Sequence, residues 1–489
     1  MTQQVPNFLE TKSWFISISI YTKTFMKAKH IHFSGICGTA MASLASLLKK
    51  RGYHITGSDE QVYPPMSTFL ESEGIAIQKA FDAKNLSPAP DQVVIGNALS
   101  RGNAEVEAAL SQGIPFISMA ELLKEYFIQG RKSLVVTGTH GKTTTTSLLT
   151  WVFHHSKKDP GFLIGGIAEN LNTSCAEGAG EYFITEGDEY DTAFFDKRSK
   201  FFHYLPQQLI LNNIEFDHAD IFDSLEVILK AFRLLLRLVP QNGLIVANGD
   251  DDRVLDVIQS SFSPCVTFGL GKHCDARATK IHTTESETCF HFSWEKFGEY
   301  DFYLPLMGEY NVRNALGVII LALHNGIGFD AIQNAFEDFK GIRRRQELRG
   351  IRHGISVYDD FAHHPTAVRE TLAAIRQRYP KQRLIAVFEP RSNTSVLKIH
   401  QKALIDALKS ADEVILGKVH RKERVDVKLR IDLEEIILEL NNEELPAYAI
   451  EEVDAIIEHL KAHTASGDVI LVMSNGKFGN IHQRLLDEL

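Results

Sequence analysis

Cysteine is scarce and unpatterned in this chain. Five cysteines stand among 489 residues. The number is odd and no C-x-x-C pair occurs, which argues against a secreted disulfide scaffold and for a reducing compartment, read as the cytoplasm. Long apolar runs are missing as well: nothing approaches the ~18 residues that a membrane-spanning helix needs. The most apolar short run, Trp14–Tyr21, is broken by serines, and only Lys12 precedes it closely. Without a cleavage pattern behind it, it does not read as a signal peptide. Positive charge is not in excess either, with 52 Lys+Arg against 62 Asp+Glu and a net charge of −10. That balance removes the global electrostatic case for nucleic acid or an anionic membrane as partner, while leaving room for a local basic pocket. No solenoid-length repeat and no low-complexity tract appears.

What is present is the composition of a globular protein, 44% hydrophobic and 23% charged. At roughly 150 residues per domain, the length suggests about three domains. The pattern along the chain agrees. Short apolar runs at 31–33, 54–56, 92–95 and 115–118 alternate with helical periodicity. The alternation restarts at Leu134-Val135-Val136 and again near Gly350. Strand–helix alternation of this kind implies parallel sheets with helices on their faces, an α/β class. The divisions expected are an extension over 1–29, with Met26 as another possible start, and units over 30–130, 131–345 and 346–489. Between about 264 and 306, Thr-rich alternating segments point to antiparallel strands, followed by a helix over Asn314–Asn325.

Three loops carry chemistry. Gly138-Thr139-His140-Gly141-Lys142-Thr143-Thr144 lies between a strand and a helix. Backbone N–H groups there can cradle a polyphosphate, Lys142 can reach its terminal phosphates, and the Thr143 hydroxyl can hold Mg²⁺. The pattern is GxxGKT, two residues shorter than the general phosphate loop. Thr185-Glu186-Gly187-Asp188-Glu189-Tyr190-Asp191 places four carboxylates after another strand, and Asn213–Asp220 sets His218 among carboxylates. In a nucleotide-binding sheet, the carboxyl ends of strands border the ligand, so both loops read as metal or phosphate contacts. Gly35-Ile36-Cys37-Gly38, with Asp59 after the next strand, is half a dinucleotide fingerprint. Cys37 and Ala40 replace its other glycines, which disfavours a nicotinamide cofactor but suits the diphosphate of another nucleotide. Arg343–Arg345 sits at a unit junction, within reach of a transferring phosphoryl group. His363 and His364 point apart on an extended chain, so joint metal ligation is not expected. The scatter of Cys265, His273, Cys274, His282, Cys289 and His291 fits no zinc spacing.

Taken in order, GTHGKTT, ITEGDEYD, NNIEFDHAD, EYNVRNA, GIRRRQE and YDDFAHHP resemble the Mur ligases, and the resemblance covers residues 30–489. It implies a three-domain enzyme: a Rossmann-like N-terminal domain for a UDP-sugar, a central P-loop ATPase domain and a Rossmann-like C-terminal domain for the incoming amine. By that resemblance ATP and Mg²⁺ are the cofactors, and Thr143, Glu186 and His218 the metal ligands. Lys142, His218 and Arg345 would be catalytic. Asn311, Asn314, Arg345 and Asp360 would join Gly138–Thr144 at ATP. Gly35, Gly38, Asp59 and Asn97 would face the UDP-sugar, and Arg391, Ser474 and Asn475 the peptide. GICGT, QVYPPMS, FFDKRSKF, EPRSNT and VMSNGKFGNIH are most similar to the branch that joins UDP-N-acetylmuramate to the murein tripeptide L-Ala-γ-D-Glu-meso-diaminopimelate in peptidoglycan recycling. The branch that adds L-alanine to UDP-N-acetylmuramate is the alternative.

Overall fold

In the computed structural model, which describes residues 29–64, 66–284 and 286–489, the chain builds three main sheets. The run Trp14–Tyr21 and Met26 lie outside the described residues. β1 (His30–Ser34), β2 (His54–Ser58), β3 (Ile77–Gln78), β4 (Gln92–Ile95) and β5 (Phe116–Ser118) form the first, all parallel, in the order β3-β2-β1-β4-β5. Each connection runs through helix or loop on the sheet faces, the doubly wound arrangement of a Rossmann-like fold.

The second sheet has ten strands. Its strands are β6 (Lys132–Thr137), β7 (Gly161–Ala168), β8 (Thr173–Ala176), β9 (Tyr182–Gly187), β12 (Gln208–Leu211), β13 (Leu244–Asn248), β14 (Cys265–Gly269), β15 (Ala276–Thr283), β16 (Thr288–Trp294) and β17 (Gly298–Leu304). A separate ribbon pairs β10 (Asp191–Ala193) with β11 (Asp196–Ser199). β6 lies between β9 and β12, parallel to both. Leu134–Val136 and Leu209–Leu211 are fully buried because helices cover both faces, which is why these strands read as continuous apolar runs. The stretch expected to be antiparallel divides. β14 still pairs in parallel with β13, and only β15–β17 form an antiparallel meander. The helix expected from Asn314 begins earlier, at Glu309 after Gly308, and ends at His324. Asn311 and Asn314 therefore sit one turn apart on the same face, beside the helix Lys142–His155.

The third sheet, β18-β19-β23-β20-β21-β22, contains β18 (Glu347–Arg352), β19 (Ile355–Asp360), β20 (Leu384–Phe388), β21 (Glu413–Leu416), β22 (Ala447–Ala449) and β23 (Val469–Met473). All pair in parallel except the edge strand β18. The first and second sheets share one apolar core: Ile31, Phe33 and Leu44 belong to the same buried cluster as Phe183, Leu209 and Phe232. Among the described residues, no helix is long and apolar enough to cross a membrane.

Candidate active site between the central and C-terminal units

The strand order brings the sequence motifs together. β6 delivers the loop 138–141, β9 delivers Glu186 at its carboxyl end, and β12 runs into the segment 212–220. The loop lies flat on that segment: Thr139 N–H donates to Asn213 O at 3.0 Å and His140 N–H to Asn213 Oδ1 at 2.7 Å. Two positions demand glycine. Gly138 has φ +133° and Gly141 φ +79°, and a Cβ on Gly141 would stand 2.7 Å from Asn314 Oδ1.

Lys142 opens the helix and folds back over the loop. Its Nζ donates to Gly138 O at 2.7 Å and to both Glu189 carboxylate oxygens, at 2.9 and 3.1 Å. Burial works against its charge, but Glu189 and Asp188 outweigh it and raise its pKa, so the ammonium persists. Thr143 Oγ1 donates to Glu186 Oε2 at 3.1 Å, and Arg345 Nη2 lies 3.5 Å from the same hydroxyl. Glu186 is half-buried, and desolvation pushes its carboxyl up. His218 Nε2 is 3.2 Å from Glu189 Oε1, and its own N–H donates to Thr394 Oγ1 at 3.0 Å in the C-terminal unit. The backbone there is left-handed, with φ +55°, which turns the imidazole towards the carboxylates. Oxygen donors dominate, as a hard divalent cation requires. Thr143 and Glu186 face one another, and ligand atoms of Asp188, Glu189 and His218 lie within 4.8 Å of each other.

Beyond Gly141 opens a cavity of about 610 Å³, within the range of small-molecule sites. His140, Gly141 and Asn314 line it from the central unit, and Thr366, Arg369 and Glu370 from the C-terminal unit. Asn311 stands behind, its side-chain oxygen accepting from Asn314 Nδ2 at 3.1 Å. Asn212 Oδ1 is a buried acceptor without a hydrogen-bond partner among the described residues, and Asn212 also lines this cavity.

Other expected residues lie elsewhere. Asp360 is outside the cavity wall, and its carboxylate accepts the backbone N–H groups of Gln346 and Ala362 at 2.8 and 2.7 Å. In this arrangement it braces the junction after Arg345. Gly35 and Gly38 turn tightly against β2, and Asp59 accepts the Cys37 N–H at 2.9 Å, so the three form one loop. Asn97 donates to Asp191 O at 3.0 Å, tying the first unit to the second. Arg391 and Ser474 meet on Glu389, with Arg391 Nη1 at 3.4 Å and the Ser474 hydroxyl in a short hydrogen bond. Asn475 Oδ1 is buried without a hydrogen-bond partner among the described residues. Sequence reasoning missed Glu189 as the hub of the charged group and Glu389 as the link between Arg391 and Ser474. For Glu189 the acidic loop was a signal; for Glu389 the signal was its place at a strand end, at the head of EPRSNT.

The Mur ligase family, catalytic domain, matches residues 30–131, the Mur ligase middle domain residues 136–322, and the Mur ligase, glutamate ligase domain residues 344–476. The UDP-N-acetylmuramate--L-alanyl-gamma-D-glutamyl-meso-2,6-diaminoheptandioate ligase of Escherichia coli (strain K12) is 44% identical to the chain over 463 residues, 94% of this chain and 98% of that protein. The chain belongs to the Mur ligase family. A second Mur ligase, the UDP-N-acetylmuramate--L-alanine ligase of Caldanaerobacter subterraneus, is 32% identical over 470 residues, 94% of this chain and 98% of its own length. Among solved Mur ligases, a murein peptide ligase from Psychrobacter arcticus matches with a TM-score of 0.71 and 38% identity, covering 94% of this chain and 98% of the other. As a Mur ligase the chain is an ATP-dependent enzyme that forms amide bonds.

Proposed function

We propose that this Mur ligase joins the α-amino group of L-Ala in L-Ala-γ-D-Glu-meso-diaminopimelate to the lactyl carboxylate of UDP-N-acetylmuramate, in the cytoplasm, as a step of peptidoglycan recycling. The observation that carries the reading is the convergence of Thr143, Glu186 and Arg345 at the start of the helix that Lys142 opens, directly after Gly141, which lines a cavity walled by two units. Full-length likeness at 44% identity to a ligase named for the tripeptide, against 32% to one named for L-alanine, favours the peptide acceptor.

A carboxylate does not react with an amine at neutral pH. In the proposed reaction its oxygen attacks the γ-phosphorus of ATP, ADP leaves, and an acyl phosphate forms. The amine nitrogen then adds to the acyl carbon, and the tetrahedral intermediate collapses with loss of phosphate and of the amine proton. Lys142 and Arg345 neutralise charge on the moving phosphoryl group, and the loop amides fix its position. Mg²⁺, when bound by Thr143, Glu186 and His218, would screen the phosphates from the attacking anion. Gly35, Gly38, Asp59 and Asn97 are assigned to the UDP-sugar. Arg391, Ser474 and Asn475 are assigned to the peptide, and Asn314 with Asn311 to the nucleotide. Asp360 reaches the ribose in this reading only if the junction around Gln346 rearranges.

An acceptor panel assayed by ADP release tests this. Turnover is expected with the tripeptide and UDP-N-acetylmuramate together. Equal turnover with free L-Ala would transfer the chain to the alternative branch.

A further inference from the structure

Where the phosphate loop meets the C-terminal unit, two imidazoles and one carboxylate converge whose side chains the reaction described above does not use. We propose that His140, Glu215 and His364 form a site for a transition-metal dication of the zinc type, bridging the central and C-terminal units.

The distances suit the ion. His140 Nε2 is 3.1 Å and His364 Nδ1 is 3.3 Å from the same oxygen, Glu215 Oε2. All three ligand atoms lie within 4.8 Å of one another. A tetrahedral ion with bonds of about 2.0–2.1 Å separates its ligand atoms by about 3.3 Å. Two nitrogens and one oxygen, with a fourth position open, make a set that zinc-type ions accept and that hard Mg²⁺ does not favour.

The hydrogen bonds point the same way. His364 Nε2 faces the carbonyl oxygen of Phe216 at 3.3 Å, so that nitrogen carries the proton. His364 Nδ1 therefore presents a lone pair. It accepts the Thr366 N–H at 3.3 Å, and the Glu215 oxygen stands at the same distance. An ion bound there would take over that lone pair from the long Thr366 contact and balance the carboxylate charge beside it. Burial drives the His364 imidazole down towards its neutral form. Hydrogen bonds from His140 and Thr366 overcome burial and keep Glu215 ionised; an ion would take the place of the proton that His140 Nε2 shares with Glu215, leaving that ring protonated at Nδ1. Outside this group His400 Nε2 shares the Phe216 carbonyl at 3.1 Å, and its ring packs edge-on to His364 at 4.8 Å. Such outer support is what holds metal-binding histidines in orientation.

The site is separate from the oxygen-rich group around Glu186 and Glu189. It joins the loop after β6 and the segment after β12 to the start of the helix Pro365–Arg378. His140, Glu215 and Thr366 also wall the nucleotide cavity. A bound ion would thus tie the two units together at the wall of the nucleotide cavity.

The test is a titration of the full-length, nucleotide-free and chelator-stripped protein with Zn²⁺ alone against a chromophoric chelator. One ion is expected beyond any held by the Glu186–His218 group; it is retained in His218→Asn, and its affinity falls more than about tenfold in Glu215→Gln and in His364→Asn. Asparagine retains an acceptor for the Thr366 N–H, and glutamine retains the shape of Glu215, so either variant decides the matter if the other fails to fold. The Co²⁺-loaded protein should show no thiolate-to-metal charge transfer. Unchanged Zn²⁺ affinity in the folded variants would overturn the site. So would loss of the ion in Cys274→Ser, because Asp250, His273 and Cys274 form the one such group among the described residues that includes sulfur.

Discussion

Glu189 grips Lys142 with both carboxylate oxygens, at 2.9 and 3.1 Å, while the lysine also caps the carbonyl of Gly138. The cation is thus charged and positioned before nucleotide arrives, and a phosphate has only to displace one carboxylate. Little reorganisation is left for the reaction itself.

Lys142→Ala removes the one mobile cation of the loop without touching the first sheet. Ligation measured by ADP release should fall by about 10²–10³-fold or more, the scale of a lost preorganised donor. Binding of UDP-N-acetylmuramate, measured by calorimetry, should be unchanged. Wild-type turnover in this variant would remove the loop from the chemistry.

Arg345 is held by stacking as much as by charge: its guanidinium lies 4.7 Å from the centre of the Phe361 ring, and Nη2 reaches to 3.5 Å of Thr143 Oγ1. A lysine keeps the charge but loses the planar fork and the stacking. Arg345→Lys should lower kcat by about 10²-fold or more, on the scale of arginines that meet a transferring phosphoryl group, with the KM for ATP moving less. A change confined to KM would make Arg345 a ground-state binder only.

Gly141→Ala tests the loop conformation. With φ +79°, an L side chain costs roughly 1–2 kcal/mol. The new Cβ would also press on Asn314 Oδ1 at 2.7 Å. Since both residues line the cavity, the KM for ATP should rise about tenfold, equivalent to roughly 1.4 kcal/mol. An unaffected KM would place the nucleotide away from this wall.

The motif residues were legible because strand order is nearly written in the alternation of apolar runs and glycine turns. Once β6, β9 and β12 are neighbours, Lys142, Glu186 and His218 have to converge. Contacts between units were not legible in the same way. Glu189 was one of four carboxylates in a row, and only backbone geometry selects it as the partner of Lys142. Glu389 opens the EPRSNT run after an apolar strand, but its meeting with Ser474 spans 85 positions of chain, and the meeting of Glu215 with His364 spans 149. The early start of the helix at Glu309 was hidden for a local reason: Gly308 begins it without a side-chain cap.

Stability of the first unit rests on one buried carboxylate. Glu105 and His32 are fully buried, and Glu105 Oε2 accepts the hydroxyls of Ser34 and Ser58 at 2.5 and 2.6 Å. Glu105 Oε1 accepts Asn85 Nδ2 at 2.7 Å. Glu105→Leu would strand these donors, and a buried unsatisfied group costs about 1–3 kcal/mol, so a net loss of about 2–4 kcal/mol is expected. Burial opposes the charge of Glu105, but hydrogen bonds from His32, Ser34, Ser58 and Asn85 prevail and hold its carboxyl below the usual 4.5. The sign follows from linkage. This stabilisation is complete above the unfolded value of 4.5 and is lost as pH falls through the lower folded value. Because three sheets need not unfold together, the measurement is hydrogen exchange at the amides of Ile31–Ser34 in moderate urea. Protection should drop sharply in Glu105→Leu near neutral pH, and the gap to wild type should narrow in acid. A gap that stays constant with pH would mean that the carboxylate is not the group that holds β1, β2 and the helix Ala104–Gln112 together.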